Sequence, residues 1–435
     1  MSTTKFGNNP GERVYSLISE LFPITRSITG EGVRESLQII KHYLPDLKIE
    51  SIPSGEKVLD WQIPNEWNIR DSWIKDPEGN KIVDFHQNNL HVMGYSVPVS
   101  ETLTLDELKT RLYTLPEYPD FIPYRTSYYK PDWGFCLTHK QFASLKPGNY
   151  EVLIDSDIKP GFLNYGELYL PGETDQEFLL SCYICHPSMA NDNLSGVGLL
   201  TEIAKYLKEK DNHYSYRFLF IPETIGSITW LSKNRNNVEK IKFGLVATCL
   251  GDPGNFTYKR SRQSIAEIDR IAEYVLRNAG YPFSIEDFFP FGSDERQYCS
   301  PGFNLPVGSL MRSRYSKFKE YHTSADNLDF ITPKALGETF RSYMKVIETA
   351  ERNFKYENLK PYGEPMLGKR GLYRNERVQA DFPDIQQAYI WVLNFTDGNN
   401  DLLDIAQKSG LSFDIIAEAA TILEKHDLLK KRINH

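Results

Sequence analysis

The chain has 435 residues, of which 40% are hydrophobic, 25% charged and 13% aromatic, a composition that fits one large globular domain or two to three smaller ones and excludes disordered and fibrous classes. Lys and Arg number 50 against 58 Asp and Glu, a net charge of −8, so no overall basic field exists to gather nucleic acid or anionic membrane. No run approaches the roughly 18 apolar residues of a transmembrane helix, the first ten residues lack an apolar signal core, and five scattered cysteines make no disulfide framework; a cytoplasmic protein held by packing is expected.

Residues 12 to 45 predict helix, with Val14, Leu17, Ile18 and Leu21, then Val33, Leu37, Ile40 and Leu44, at three-to-four spacing around a break from Pro23 to Gly32. From about 51 to 157 the texture changes. Four of the six tryptophans (Trp61, Trp67, Trp73, Trp133) fall here among prolines, tyrosines and short strand-like runs, which predicts a β-rich unit with one helix near Thr104 to Leu112. From about 160, apolar strands alternate with amphipathic helices. Strands are expected at Glu177 to Ile184, Tyr216 to Ile221, Phe243 to Cys249 and Leu305 to Met311, and helices at Ser195 to Lys208, Ser264 to Asn278 and Thr332 to Asn353. Such alternation predicts an α/β fold on a mostly parallel sheet.

Beyond Asn353 the spacing of Leu402, Leu403, Ile405 and Ala406, a turn, and a helix from Phe413 to Lys425 predicts a winged helix-turn-helix. From 361 to 435 there are nine Lys or Arg against eleven Asp or Glu, a balance that argues against DNA and for a packing or protein-contact module. Three units follow: an α/β catalytic domain from 1–62 and 158–358, an inserted β-rich domain from 63–157, and a winged-helix-like domain from 359–435.

The chemistry-bearing residues lie at predicted strand ends, where open α/β sheets place their sites. His186 and Asp192 follow the strand of Ser181-Cys-Tyr-Ile-Cys and offer the nitrogen and oxygen donors that zinc accepts. Asp192 sits in Asn-Asp-Asn-Leu-Ser-Gly, whose small residues let backbone approach an ion. Glu223 ends the next strand in Pro-Glu-Thr-Ile-Gly-Ser and suits a general base for hydrolysis. Further on come Gly292-Ser-Asp-Glu and Tyr321-His-Thr-Ser-Ala-Asp, in which His322 supplies a second imidazole. Singly, each has a plainer reading, as a core histidine, a helix cap or a loop hydrogen bond; their ordered combination favours a site. Cys182 and Cys185 form a lone Cys-x-x-Cys and face opposite sides of a strand, so they make no zinc knuckle.

In this order the motifs resemble the zinc aminopeptidase superfamily, which includes the bacterial leucyl aminopeptidases, the Streptomyces-type aminopeptidase and the glutaminyl cyclases. Pro23-Ile-Thr-Arg-Ser-Ile-Thr-Gly-Glu-Gly and Pro222-Glu-Thr-Ile-Gly-Ser, with an inserted β domain and a winged-helix tail, look like a bacterial group of aminopeptidase-like proteins associated with polysaccharide biosynthesis. The resemblance implies that His186 ligates one zinc of a pair, Asp192 bridges, His322 ligates the other, and Glu223 is the base. It also implies departures. Thr224 stands where the family has a ligating Glu, Thr248 where it has a ligating Asp, and Ser188 where it has an Asp two residues after the first His; Asp252 replaces the Asp only if the strand end is rearranged. His186, Asp192 and His322 suffice for one Zn2+ with an open position, so one ion is expected and the second site is weak or absent.

The resemblance further implies that Asp294 or Glu295 grips a substrate amino group. The segment Met311 to Glu320, with Arg312, Arg314, Lys317 and Lys319, is either a solvated face or a cationic rim for a substrate carboxylate or phosphate. Tyr321 is counted among the substrate contacts. The expected activity is zinc-dependent hydrolysis of an amide in a peptide or small amide substrate. The alternatives are an amidase or deacylase acting on an amino sugar or other anionic non-peptide, and a catalytically silent scaffold. The aromatic insert or the tail is the expected surface for any homo-oligomer.

Overall fold

The computed structural model describes residues 9–372 and 384–432, in two compact units, Met1–Met344 and Lys345–His435. In the first unit, α1 (Pro10–Leu21) starts at Asn9, whose side chain accepts the Gly11 N–H with Pro10 at the first helical position. It buries Val14, Leu17, Ile18 and Leu21, and α2 (Glu31–Tyr43) buries Val33, Leu37 and Ile40. Both are amphipathic helices of the expected spacing.

β1 (Lys48–Pro53) leads into a smaller sheet made of β2 (Glu66–Lys75), β3 (Lys81–Asp84), β4 (Val99–Thr104) and β5 (Asn149–Lys159), ordered β3-β2-β5-β4 and antiparallel throughout. The helix expected at 104–112 is shorter, Leu105–Lys109, because Leu112–Tyr113 pairs with Phe135–Cys136 instead. Trp67, Ile74, Phe135 and Tyr150 of this region lie in one buried apolar cluster with Leu179, Ile221 and Val246. The small sheet and the large one therefore share a core.

The large sheet adds β6 (Phe162–Leu170), β7 (Glu177–Tyr183), β8 (Ser215–Ile221), β9 (Ile241–Ala247), β10 (Phe256–Lys259), β11 (Phe283–Glu286) and β12 (Val307–Met311), in the order β1-β6-β8-β7-β9-β12-β10-β11. The four central strands are parallel; β1, β6 and β10 join antiparallel to their inner neighbours. All seven residues of β7 are buried, as a strand covered on both faces requires. Helices α3 (Ser195–Lys208), α4 (Ile225–Lys233), α5 (Glu267–Asn278) and α6 (Pro333–Ala350) complete the α/β alternation. Tyr183 pairs with Ile221 across β7 and β8, so His186 and Glu223, which follow those residues, emerge at the same edge of the sheet.

The described residues of the second unit include a three-stranded sheet and the helices α7 (Asp384–Phe395), α8 (Leu402–Ser409) and α9 (Phe413–Lys425), of which α8 and α9 form the helix-turn-helix. Asp401 caps α8, Gly410 ends it in the left-handed conformation at φ 73°, and Ser412 caps α9. All five cysteines are buried and unbridged. Among the described residues no helix is long and apolar enough to cross a membrane.

Candidate functional site

His186, Asp192 and His322 converge, each offering a ligand atom within 4.8 Å of the others. Asp192 is fully buried, in the link between β7 and α3. Gly196, at the first turn of α3, permits that link to lie against β9, since a Cβ there would stand 2.4 Å from the Ala247 carbonyl oxygen. The backbone N–H groups of Asn191 and Asp192 donate to the buried Asp326 carboxylate at 2.6 and 2.9 Å. Burial raises Asp326 to about 8 against these bonds.

The His186 ring has one nitrogen committed. Its Nδ1 lies 2.9 Å from the Asp192 carbonyl oxygen, which makes Nδ1 the donor and leaves Nε2 as the nitrogen that would ligate a metal, giving up its proton to do so. Nε2 lies 3.4 Å from Glu223 Oε2. Asp192 Oδ2 is 3.1 Å from His322 Nε2, yet both atoms are buried without a hydrogen-bond partner. Burial drives His186 down, but Asp192 and Glu223 outweigh it and hold the ring up to about 9. Burial likewise drives Asp192 up, and the His186 and His322 rings outweigh it and keep it below the usual carboxylate range. Asp192 Oδ2 and His322 Nε2, without hydrogen-bond partners and close to the His186 ring, make a set of two imidazoles and a carboxylate that fits zinc.

The other Asp192 oxygen is taken. Tyr183 donates its hydroxyl to Oδ1 and lies 2.7 Å from Thr248 Oγ1. The register explains the pair, because Ser181 stands opposite Val246 across β7 and β9 and two further residues bring Tyr183 level with Thr248. Behind the site, Arg26 is 2% exposed. Its Nε donates to the His186 carbonyl at 2.8 Å, Nη2 to the Pro187 carbonyl at 3.0 Å and Nη1 to the Leu21 carbonyl at 2.6 Å. Burial lowers its pKa to about 9, so the guanidinium stays charged at neutral pH and clamps the loop that carries His186.

The loop at His322 is held from the β-rich region. Tyr124 donates its N–H to the His322 carbonyl at 2.8 Å, and the Ser324 N–H donates to the Ile122 carbonyl at 2.9 Å. The Tyr124 ring meets both imidazoles edge-on, with centroids 5.3 and 5.2 Å away, and Tyr321 stacks on His322 at 3.9 Å. A cavity of about 310 Å³ opens over His186, Glu223 and His322, walled by Trp61, Tyr124, Tyr128 and Tyr129.

A family model described as a domain of unknown function, DUF4910, matches residues 15–353, and a second, described as winged helix-turn-helix, matches residues 354–431. The chain belongs to the DUF4910 family. It is 55% identical over 420 residues, covering 97% of this chain and 96% of the relative, to a Clostridium acetobutylicum protein with the provisional name polysaccharide biosynthesis protein with aminopeptidase-like domain. A crystal structure of a provisionally named peptidase from Clostridium acetobutylicum superposes with TM-score 0.93 at 53% identity over 98% of both chains. A zinc aminopeptidase from Bacillus subtilis superposes with TM-score 0.57 at 12% identity, over 78% of this chain and 95% of that one, a likeness of fold. The resemblance in the motifs thus extends to the architecture.

In this DUF4910 chain the remaining expected residues lie apart from the cavity. Glu295 is not an amino-group anchor: it is fully buried in an ion pair with Lys259 at 2.7 Å, itself fully buried. Asp294 is also buried; Oδ1 accepts from the Thr224 N–H at 2.7 Å and the Ser227 hydroxyl at 2.8 Å, while Oδ2 has no partner. Burial, then the charge of Glu223, raises its pKa. Arg312 and Arg314 form no rim: Arg312 is buried against Glu338 at 3.1 Å and the Gly254 carbonyl at 3.0 Å, and Arg314 pairs with Glu286 at 3.2 Å. Tyr321 backs His322 and does not line the cavity. Asp252 replaces no missing ligand, since Asn191, Gly254 and Ser313 occupy its carboxylate. Ser188 accepts from Asn89 at 2.7 Å and braces the β-rich region. The sequence reading missed Arg26, Tyr183, Tyr124, Arg125 and Arg296. Only Arg26 carried a signal, its place in the noted Pro23 to Gly32 segment.

Proposed function

We propose that this protein is a zinc-dependent hydrolase of an amide bond, with His186, Asp192 and His322 holding one ion and Glu223 acting as general base. The observation that carries this reading is the pair of buried, unpartnered atoms, Asp192 Oδ2 and His322 Nε2, within ligand distance of His186 and beside Glu223. Zinc bound there supplies polarisation of the amide carbonyl and a water whose pKa falls to about 7. Glu223 Oε2 accepts the proton of the attacking water and passes it to the leaving amine. The Nδ1–H bond of His186 to the Asp192 carbonyl keeps its ring in the ligating tautomer and orientation. Tyr124 and Tyr128 exclude bulk water from one side, which strengthens every charge in the site.

A single ion is favoured because the Tyr183 hydroxyl occupies Asp192 Oδ1, the oxygen a bridging carboxylate would give to a second metal. The provisional names of the relatives support an aminopeptidase-like activity connected with polysaccharides. The experiment is elemental analysis of protein purified without added metal, beside a His186→Ala, His322→Ala double variant and a Glu223→Gln variant. About one equivalent of zinc, lost in the double variant and kept in Glu223→Gln while amide turnover falls about 100-fold or more, is the expected result. Protein that takes up no metal when zinc is supplied would leave the silent scaffold as the reading.

A further inference from the structure

The charges facing the cavity differ from those expected of a site that grips a free amino terminus. Among the described residues Glu223 is the one acid lining it, and it is assigned to proton transfer. Glu295 is neutralised by Lys259, and Asp294 lies behind Thr224 with its proton held more tightly than an ordinary carboxylate. No further carboxylate among the described lining residues remains for an ammonium.

The same cavity offers a cation. Arg125 lines it and is exposed; its guanidinium lies 4.4 Å from the Tyr113 ring centroid, and among the described residues no carboxylate comes within ion-pair distance of it. On the Glu223 side, Arg296 donates from Nη2 to Thr224 Oγ1 at 2.9 Å, its buried Nε has no partner, and it forms no ion pair among the described residues. The cavity is also lined by Trp61 and Tyr129, edge to face with centroids 5.7 Å apart, and still 40% and 53% exposed. Large aromatic faces left open to solvent in the cavity that holds Glu223 suit a flat or ring-shaped ligand, and an unpaired guanidinium suits a planar anion.

We infer that the cavity selects amide substrates bearing a carboxylate, which Arg125 receives while Trp61 and Tyr129 cover the adjoining part of the molecule. This rests on the hydrolase reading for the location of the reacting bond, but its test does not depend on turnover. The carboxylate could belong to an acidic peptide side chain or to an acidic amino sugar; the recognising chemistry is shared.

The test is titration of full-length protein, as purified and again after chelation and dialysis, with N-acetylglutamate, its uncharged diamide and N-acetylmuramate, followed by tryptophan fluorescence. A Trp61→Phe variant establishes which signal comes from the cavity. Expected is saturable binding of an acid, weakened about tenfold or more in Arg125→Gln and for the uncharged diamide, and largely restored in Arg125→Lys. Tighter binding of N-acetylmuramate assigns a sugar ring to the aromatic faces, and tighter binding of N-acetylglutamate assigns an acidic peptide. Equal affinity of wild type and Arg125→Gln, or of the acid and its diamide, would overturn the inference and leave the hydrolase reading standing. Absence of zinc uptake would instead remove the hydrolase while the Arg125 dependence in chelated protein remained readable.

Discussion

Single side chains decide how many ions the site can hold and how firmly its loop is set. Because the Tyr183 hydroxyl covers Asp192 Oδ1 and Thr248 stands behind it, a Tyr183→Phe, Thr248→Asp double variant should raise bound zinc from about one equivalent toward two, read by elemental analysis; a variant that stayed at one would refute the role given to Tyr183. Arg26 satisfies three carbonyls in the interior. Arg26→Ala leaves them unpartnered, at about 1–3 kcal/mol each, so chemical denaturation should show a loss of at least about 3 kcal/mol, and Arg26→Lys, lacking the fork, should recover less than half. The absence of a ligand at Thr248 was legible in the sequence; the Tyr183 cover and the Arg26 clamp were not, because Arg26 and His186 are 160 residues apart and no spacing rule links them.

Among elements, the long amphipathic helices and the four central, fully covered strands were readable and the outer strands of the large sheet were not. The helices expected at Ser195 to Lys208 and Phe413 to Lys425 occur with those bounds, since each keeps an apolar face over three or more turns. The strands Lys48–Pro53, Phe162–Leu170, Phe256–Lys259 and Phe283–Glu286 escaped notice because their pairing partners, rather than local periodicity, make them strands. On α9 the exposed positions are Asp414, Glu418, Thr421 and Lys425, and Asp414 is bonded to Lys345 at 2.6 Å and Arg352 at 3.0 Å. The helix itself carries no Lys or Arg before Lys425 and so offers a groove no cation of its own over its first three turns; duplex DNA should therefore show no salt-sensitive retention near about 0.15 M salt in a gel-shift assay. Replacing Asp414 and Glu418 by Lys should create it. Retention by the unaltered chain would contradict the protein-contact role read from the charge balance.

At the scale of the whole molecule, α2, β2 and β6 are joined by one ion pair. Glu66 accepts from Arg34 Nη1 and Nη2 at 2.8 and 2.7 Å and from the Phe162 N–H at 3.1 Å. The Arg34 bonds, against burial, lower Glu66 from 4.5 to about 2. A depressed carboxylate adds stability that is fully present above its unfolded value and is lost as pH falls through about 2; Glu66→Gln should flatten that acid limb and cost on the order of 2–3 kcal/mol near neutrality in denaturant titrations. The shared core makes a second demand. Phe135 is fully buried in the cluster that also holds Leu179 and Ile221, so Phe135→Ala should lower stability by about 3–5 kcal/mol and broaden the metal-binding transition, since the same region secures the His322 loop.

The sequence by itself determined the α/β alternation, the winged tail and the order of the residues that can do chemistry, because those depend on local periodicity and on donor types at strand ends. Only the tertiary structure decided which of them meet. Packing brought His186, Asp192 and His322 to one point, withdrew Glu295, Arg312 and Arg314 into ion pairs, and left Arg125 unpaired at the cavity. Burial and pairing between residues far apart in the chain set the charge each group presents, and that partnership is created only when the strands and loops come together.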